Sequence, residues 1–349
     1  MPTLSVFRRD FMKIGKWLGI FLAVIILIFI LIKLFGIIKN IVAPAPPPLP
    51  TVTFGKLPTI YYPEGIKKSF SYSVDTISGD LPNFPSTVKV FKMDQSKPDI
   101  LAVQKATQKI QSLGFDPTPI QLSDITYQWR DPESPYRNLI LNVNISQFNL
   151  YSLYITDPDI TEALHLPTQA DAITTAQQFI INLGLFPDDI DSEKTLVKTF
   201  NIQNGLIIPS TSISNTKLFS IYFFQKDKDS LPIVYPGGAT SSMNITVGSS
   251  NSTGGQVVDG KFFYQKSTNE SATYPIISAT EALDRLKKGN AYIADYNGGD
   301  QTKVVIKKVY LAYYSEGRTQ AALLPVVVFE GDNGFIAYVT AVKDEWINK

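Results

Sequence analysis

The 349-residue chain has no cysteine and one histidine, His165. Without cysteine there are no disulfides, thiol nucleophiles, zinc–thiolate centres or cysteine-linked lipid anchors. A Ser-His-Asp triad or a histidine metal site would have to use His165, and neither a G-x-S-x-G nor an H-E-x-x-H pattern surrounds it. His165 sits in the linker-like stretch LHLPTQ and reads as a surface or interdomain residue. A glycine-rich phosphate loop is also lacking. Charge of one sign is not in excess: 32 Lys+Arg stand against 31 Asp+Glu. Residues 1–39 hold six basic residues and one acidic residue, which leaves 26 against 30, a net −4, for residues 40–349. That is no electrostatic footprint for nucleic acid.

What the chain does have is one long apolar run, Trp17 to Ile38. Its first sixteen residues, to Ile32, are uncharged, and Leu34, Phe35, Ile37 and Ile38 follow Lys33. At about 1.5 Å per helical residue such a run can cross a hydrocarbon core of about 30 Å. Lys33, near its end, can snorkel to the headgroups. Arg8, Arg9, Lys13 and Lys16 precede the run, which puts the N-terminus in the cytoplasm and residues beyond about 40 outside. Ala43-Pro44-Ala45 mimics a signal-peptidase site. The apolar run is longer than the usual signal-peptide core of about 7–15 residues, and Pro46 would follow the cut, so a retained single-pass anchor is the reading. The expected organisation is a cytoplasmic tail (1–15), a transmembrane helix (16–39) and a Pro-rich spacer (40–50). The spacer's APAPPPLP favours extended polyproline geometry.

Beyond Thr51 the pattern is α+β. Aromatic residues are 12% of the chain, enough for a folded outer part and too many for a disordered stalk. Alternating runs at 69–74 and 86–93 predict strands. A helix is expected from Asp99 to Gly114, then strands near 122–129, 138–145 and 148–155. Thr168 or Asp171 caps a second helix ending at Leu183-Gly184, followed by strands at 195–202, 217–225, 243–247 and 256–265. Ser278 caps a third helix ending near Lys288-Gly289. Strands at 303–314, 321–329 and 335–342 follow, the last two joined by a tight Gly331-Asp332-Asn333-Gly334 turn. The modules expected from these cycles are 51–165, 166–268 and 269–349, in series, each a helix packed on an antiparallel sheet.

The first two cycles align at an offset of 70 residues. Ala102, Val103, Ala106, Ile110, Leu113, Gly114, Phe115, Pro117 and Ile120 fall on Ala172, Ile173, Ala176, Ile180, Leu183, Gly184, Leu185, Pro187 and Ile190. The shared unit is an amphipathic helix, a Leu-Gly cap, an apolar residue, a proline and an isoleucine that opens a strand.

In the last 75 or so residues, Val309, Leu311, Tyr313 and Tyr314 follow a V-x-L-x-Y-Y strand pattern. Pro325, Val326 and Phe329 follow a P-V-W-x-F pattern, and Tyr338, Val339 and Ala341 a Y-Y-V-N-A pattern. With the preceding ISATEALDRLKKGNAYI helix, this region resembles the C-terminal module of the YycH/YycI family and, more loosely, PepSY-like domains. Val328 stands in the region of the family's tryptophan. The resemblance implies a non-enzymatic accessory protein that holds a cell-envelope sensor kinase in check through its membrane helix and outer domain.

No residue is singled out as catalytic, cofactor-binding or metal-binding. Asp188, Asp189, Asp191 and Glu193, and Asp295, Asn297 and Asp300 around Gly298-Gly299, are the acidic clusters closest to a calcium loop, and neither has the EF-hand spacing. They read as turns. Tyr61-Tyr62, Tyr313-Tyr314, Phe223-Phe224 and Phe262-Phe263 could stack on sugars, but one ring of each strand pair faces the core. Asn144, Asn244, Asn251 and Asn269 head glycosylation sequons. The expected function is a membrane-anchored extracytoplasmic accessory or regulatory protein. It engages the lipid bilayer and a cell-envelope protein partner, without nucleic acid or cofactor, and homo-oligomers are left open. The alternatives are a carboxylate-dependent hydrolase of cell-wall glycans, which requires two acids across a cleft, and a structural component of an envelope or secretion assembly.

Overall fold

The computed structural model describes residues 21–35, 49–95, 99–134, 136–163, 166–250 and 255–348. The chain divides into two compact units, residues 1–49 and 50–349. In the first unit, residues 21–35 are helical (α1), and the Lys33 ammonium lies 5.6 Å from the Phe29 ring centroid. Among the described residues no helix is long and apolar enough to cross a membrane. Residues 16–20 and 36–39 of the expected span lie outside the described residues, as do the tail (1–15), residues 40–48 of the spacer, and His165.

The second unit is α+β. Strands β1 (Ser71–Val74) and β2 (Thr87–Met93) precede α2 (Ala102–Gln111). Then come β3 (Ile120–Gln121), β4 (Thr126–Arg130), β5 (Asn138–Asn142) and β6 (Ser146–Tyr151). A single turn, α3 (Pro158–Thr161), leads to α4 (Gln169–Leu183). Next are β7 (Ile190–Gln203), β8 (Leu206–Pro209), β9 (Leu218–Gln225), β10 (Ile233–Val234), β11 (Met243–Gly248), β12 (Gln256–Tyr264) and β13 (Ser267–Pro275). Finally α5 (Ala279–Lys287) precedes β14 (Tyr292–Asp295), β15 (Lys303–Tyr314), β16 (Ala322–Gly331) and β17 (Ile336–Thr340).

The helix ends have identifiable causes. Thr168 and Asp171 form a capping box: the Thr168 hydroxyl accepts from the Asp171 N–H at 3.1 Å, and the Asp171 carboxylate accepts from the Thr168 N–H at 3.2 Å. Two otherwise orphaned donors at the start of α4 are thus satisfied. Gly184, at φ +70°, stops the helix in the left-handed conformation, and a Cβ there would meet the Lys109 side chain of α2. Ser278 caps α5 by accepting from the Glu281 N–H at 3.1 Å. Thr168→Ala removes one arm of the box and is expected to lower the unfolding free energy by about 1 kcal/mol, read from the denaturant midpoint.

The two aligned cycles form a single antiparallel sheet of nine strands, ordered β3-β4-β5-β6-β12-β11-β9-β7-β8. Ile120 opens β3 and Ile190 opens β7, as the alignment places them. From those openings each cycle runs inward, β3-β4-β5-β6 from one edge and β7-β9-β11-β12 from the other side, where β8 lies outside β7 as the edge strand. Their last strands, β6 and β12, pair antiparallel at the seam, with Phe148 opposite Phe262 in the middle of the register. Those rings stack at 5.2 Å and 9°. Helices α2 and α4 both pack into the core on one face of this sheet, in contact with each other. Ile110, Ala172, Ala176, Ile180 and Leu183 are buried there.

The expected serial modules are corrected by the second sheet. Its main order is β1-β15-β16-β17-β14; β10 also pairs with β15, and β2 bridges β13 and β16. Strands β1 and β2, assigned to the first module, and β10, from the second, therefore belong with the C-terminal strands. Residues 51–62 lie over the same sheet, with Leu57 and Ile60 buried against Val90, Val326 and Val328. Strand β16 is covered on both faces, which is why it reads as an unbroken apolar run, ALLPVVVF. Alternation shows which face of a strand is buried; it carries no information about which strand lies alongside.

Candidate functional site

The long helices α2 and α4 lie on one face of the nine-stranded sheet, and the single turn α3 covers one end of the other, with Ile160 buried against Leu218 and Val258. Along its central strands the residues alternate accordingly: Phe148, Phe262, Ile245 and Ile221 point to the core, and Asn149, Lys261, Asn244 and Tyr222 to the other side. The register sets these four directly beside one another, one per strand: Asn149 opposite Lys261, Lys261 opposite Asn244, Asn244 opposite Tyr222. They form a polar row across β6, β12, β11 and β9, spanning about 14 Å at the ordinary strand spacing. The row is the floor of a groove of about 520 Å³. Its far wall comes from the second sheet, as Tyr61, Pro63 and the Glu316-Gly317-Arg318 loop that follows β15.

Among the described residues, Glu316 is the one carboxylate lining this groove. Its side chain is 6% exposed. It accepts from the Tyr61 N–H at 3.1 Å and from Arg318 Nε at 3.2 Å, and the Arg318 guanidinium lies 3.8 Å from the Tyr61 ring centroid. The Gln320 side chain braces the loop, accepting from the Glu316 N–H at 2.7 Å and donating to Tyr314 and Ala322 carbonyls. Burial pushes the Glu316 carboxyl above its ordinary value, against the lowering effects of the Tyr61 N–H and Arg318. The folded state therefore binds this proton more readily than the unfolded chain, and the Glu316 contribution to stability declines as pH rises from the ordinary glutamate value through the raised one. Glu316→Gln keeps an acceptor for Tyr61. Its unfolding free energy relative to wild type is expected to climb across that window and level off above it, measured by denaturation from pH 4 to 8.

Behind the groove wall four tyrosines pack together. The Tyr62 ring stacks on Tyr292 at 5.1 Å and 14°, and meets Tyr314 at 5.1 Å; Tyr314 meets Tyr338 at 5.5 Å. Tyr292 donates to the Pro236 carbonyl and Tyr338 to that of Tyr235. Burial raises the Tyr62, Tyr314 and Tyr338 hydroxyls far above their ordinary range, so they stay neutral and structural.

Of the acidic clusters, Asp188 and Asp189 form a turn that leads into β7, where Asp191 and Glu193 sit, and Asp295 ends β14 ahead of the Gly298-Gly299 turn. Asp188 pairs with Lys266 at 2.6 Å, Asp191 with Lys194 at 3.4 Å, and Asp189 accepts from Gln225 Nε2 at 3.1 Å. Asn297 donates its N–H to the Asn333 carbonyl, tying the Gly298-Gly299 turn to the β16–β17 turn. Among the described residues no three His, Cys, Asp or Glu side chains gather at metal-binding distance. Of the aromatic pairs, Tyr313-Tyr314 and Phe262-Phe263 are buried, Phe223 is buried beside half-buried Phe224, and Tyr61 alone is exposed, at the groove. Asn244 lies inside β11 on the groove floor, Asn269 in β13 and Asn144 between β5 and β6; Asn251 lies outside the described residues. A second cleft of about 500 Å³ has Lys67, Lys68, Lys287 and Lys288 on its rim, with Lys67 paired to Glu64.

Neither Glu316 nor the Asn149–Tyr222 row is marked as a site by sequence. The available signal was the polar alternation Gln147-x-Asn149 between Phe148 and Leu150, which any half-exposed strand shows.

No protein-family model and no curated protein matches this sequence. Among solved structures, an uncharacterized protein from Eubacterium rectale is similar in backbone, with a TM-score of 0.42 and 14% identity over 76% of this chain and 86% of that one. The Bacillus megaterium YpeB C-terminal domain gives a TM-score of 0.31 and 12% identity over 72% of this chain and 95% of that one.

Proposed function

We propose that this chain is a non-catalytic accessory protein of the cell envelope, tethered through its N-terminal apolar segment, whose outer α+β unit binds a partner. The observation that carries the reading is the makeup of the groove. A glycosidase needs two carboxyl groups across its cleft. Here the lining holds one, Glu316, already engaged by Arg318 and the Tyr61 N–H. The floor instead presents amide, ammonium and phenol groups on strands that are paired on both sides, a rigid display suited to binding. The membrane placement rests on the Trp17–Ile38 run and the basic residues before it. The resemblance of residues 269–349 to YycI-like modules favours a sensor kinase as partner.

The test is photocrosslinking in intact membranes from position 149 or 222 of the full-length chain, with products identified by mass spectrometry. One dominant envelope product, weakened when residues 17–38 are replaced by an unrelated membrane helix, is expected. Self-crosslinks alone, or turnover of a wall polymer by the purified chain, would defeat the proposal.

A further inference from the structure

The geometry points to a ligand class for the groove: we infer that it takes a linear acidic glycan, a chain of sugar rings bearing carboxylates. The inference rests on reading the outer unit as a binding protein. Three observations carry it.

The first is that the floor offers side chains and no backbone. Strands β6, β12, β11 and β9 are each paired along both edges. An extended peptide gains its affinity largely from main-chain bonds to a free strand edge, and that mode is closed here. A polyol, whose hydroxyls both donate and accept, is matched by the Asn149 and Asn244 amides and the Tyr222 phenol. Asn244 Nδ2 donates to the Ile221 carbonyl at 3.3 Å, which turns its oxygen free and fixes the amide's orientation.

The second is the shape. The row runs across four strands rather than along one, so its groups recur at the strand spacing of about 4.8 Å, on one plane. A flat, extended chain of rings meets such a row one group after another. Tyr61, 44% exposed, stands at the rim, with Arg318 against one face of its ring and the exposed remainder turned to a passing sugar.

The third is charge. Glu316 and Arg318 offset each other in the wall. Lys261 stands in the middle of the row, exposed, with no carboxylate in ion-pair range among the described residues. Asp259, two residues back on the same face, acts on it only through space. On this face two ammonium groups, Lys261 and Lys198, the latter 5.7 Å from the Tyr222 ring centroid, stand against the one carboxylate of Asp259. The row is therefore net positive among neutral hydrogen-bonding groups, the complement of a carboxylate set between hydroxyls.

The test uses the full-length chain in detergent or nanodiscs and two probes: a hyaluronan tetrasaccharide, with alternating glucuronate and N-acetylglucosamine, and the neutral chitotetraose. Calorimetry is expected to show saturable binding of the acidic probe, weakening with salt. Lys261→Gln should reduce that affinity about tenfold, equivalent to about 1.4 kcal/mol, and leave any chitotetraose binding unchanged. Asn149→Ala and Tyr222→Ala should weaken both probes. These side chains lie on an open face, and an unchanged thermal midpoint shows that the variants fold. No binding of the acidic probe, or binding indifferent to Lys261→Gln, overturns the inference and leaves the accessory role standing. Cleavage of a probe overturns the accessory role instead, with the ligand class retained.

Discussion

Residues 269–349, expressed alone, are expected to show no cooperative unfolding transition by circular dichroism or denaturant titration. In the chain this segment supplies α5 and most of the eight-stranded sheet, yet β1, β2 and β10 are drawn from elsewhere. Removing residues 50–95 takes away Leu57, Ile60, Val88, Val90, Phe91 and Met93, each less than 9% exposed. At about 1.5–3 kcal/mol for each buried apolar side chain, the loss is about 9–18 kcal/mol, and a whole domain is stable by only about 5–15 kcal/mol. It also strips one face of β16, leaving Val326 and Val328 in water, and frees the part of the β15 edge that pairs with β1, while the absence of residues 233–234 frees the part that pairs with β10. Supplying residues 50–95 in trans should restore part of the helical and sheet signal. A segment 269–349 that folds sharply without them would show that the C-terminal strands form a self-sufficient module.

The second large effect is at the seam of the nine-stranded sheet. Phe148→Ala is expected to cost about 3–5 kcal/mol, because the ring is 1% exposed and packs on Phe262 and Phe179. Phe262→Ala should cost a similar amount. The double variant should be less destabilised than the sum, by about 0.5–1.5 kcal/mol, the direct worth of the stacked pair. The effect should also reach beyond the pair. If β6–β12 joins the two cycles into one cooperative sheet, both single variants, placed in a Trp17→Phe, Trp346→Phe background so that fluorescence reports Trp129 of the first cycle alone, keep a single transition in fluorescence and in circular dichroism. Two separate transitions would mean that the cycles unfold independently and that the seam is only a contact.

The helices were the part of this fold most open to reading from sequence. Thr168 with Asp171, Ser278 before Glu281, and glycines at 114, 184 and 289 are local devices whose partners lie within a few residues. Each does in the structure what its chemistry predicts, as far as φ +88°, +70° and +80° at those glycines. Long strands such as β15 and β16 were legible for a similar reason, since a run buried on one or both faces must be apolar in a fixed pattern. Strands β8, β10, β13 and β14 went unread. Ser267–Pro275 is polar along most of its length and is held in place by β2, some 180 positions earlier in the chain. The candidate site was the least legible of all. Asn149, Lys261, Asn244 and Tyr222 come from four strands and share no spacing; only the register of three pairings brings them into one row.

Capping, periodicity and hydrophobicity act over a few neighbouring residues, so the α+β composition, the ends of α4 and α5, the 70-residue repeat and the long apolar run near the N-terminus were all readable from the residues alone, whereas α2 is shorter, Ala102–Gln111, than the expected 99–114 because no side chain caps its start. Long-range packing set the rest: the two repeats meet through β6 and β12, residues 51–93 complete the sheet of the C-terminal strands, and a polar row faces Glu316 and Arg318 across a groove. Those outcomes depend on which strand edges and faces find one another. Backbone hydrogen bonding is the same for every candidate pair of strands, so the choice is made by side-chain packing summed over the whole core.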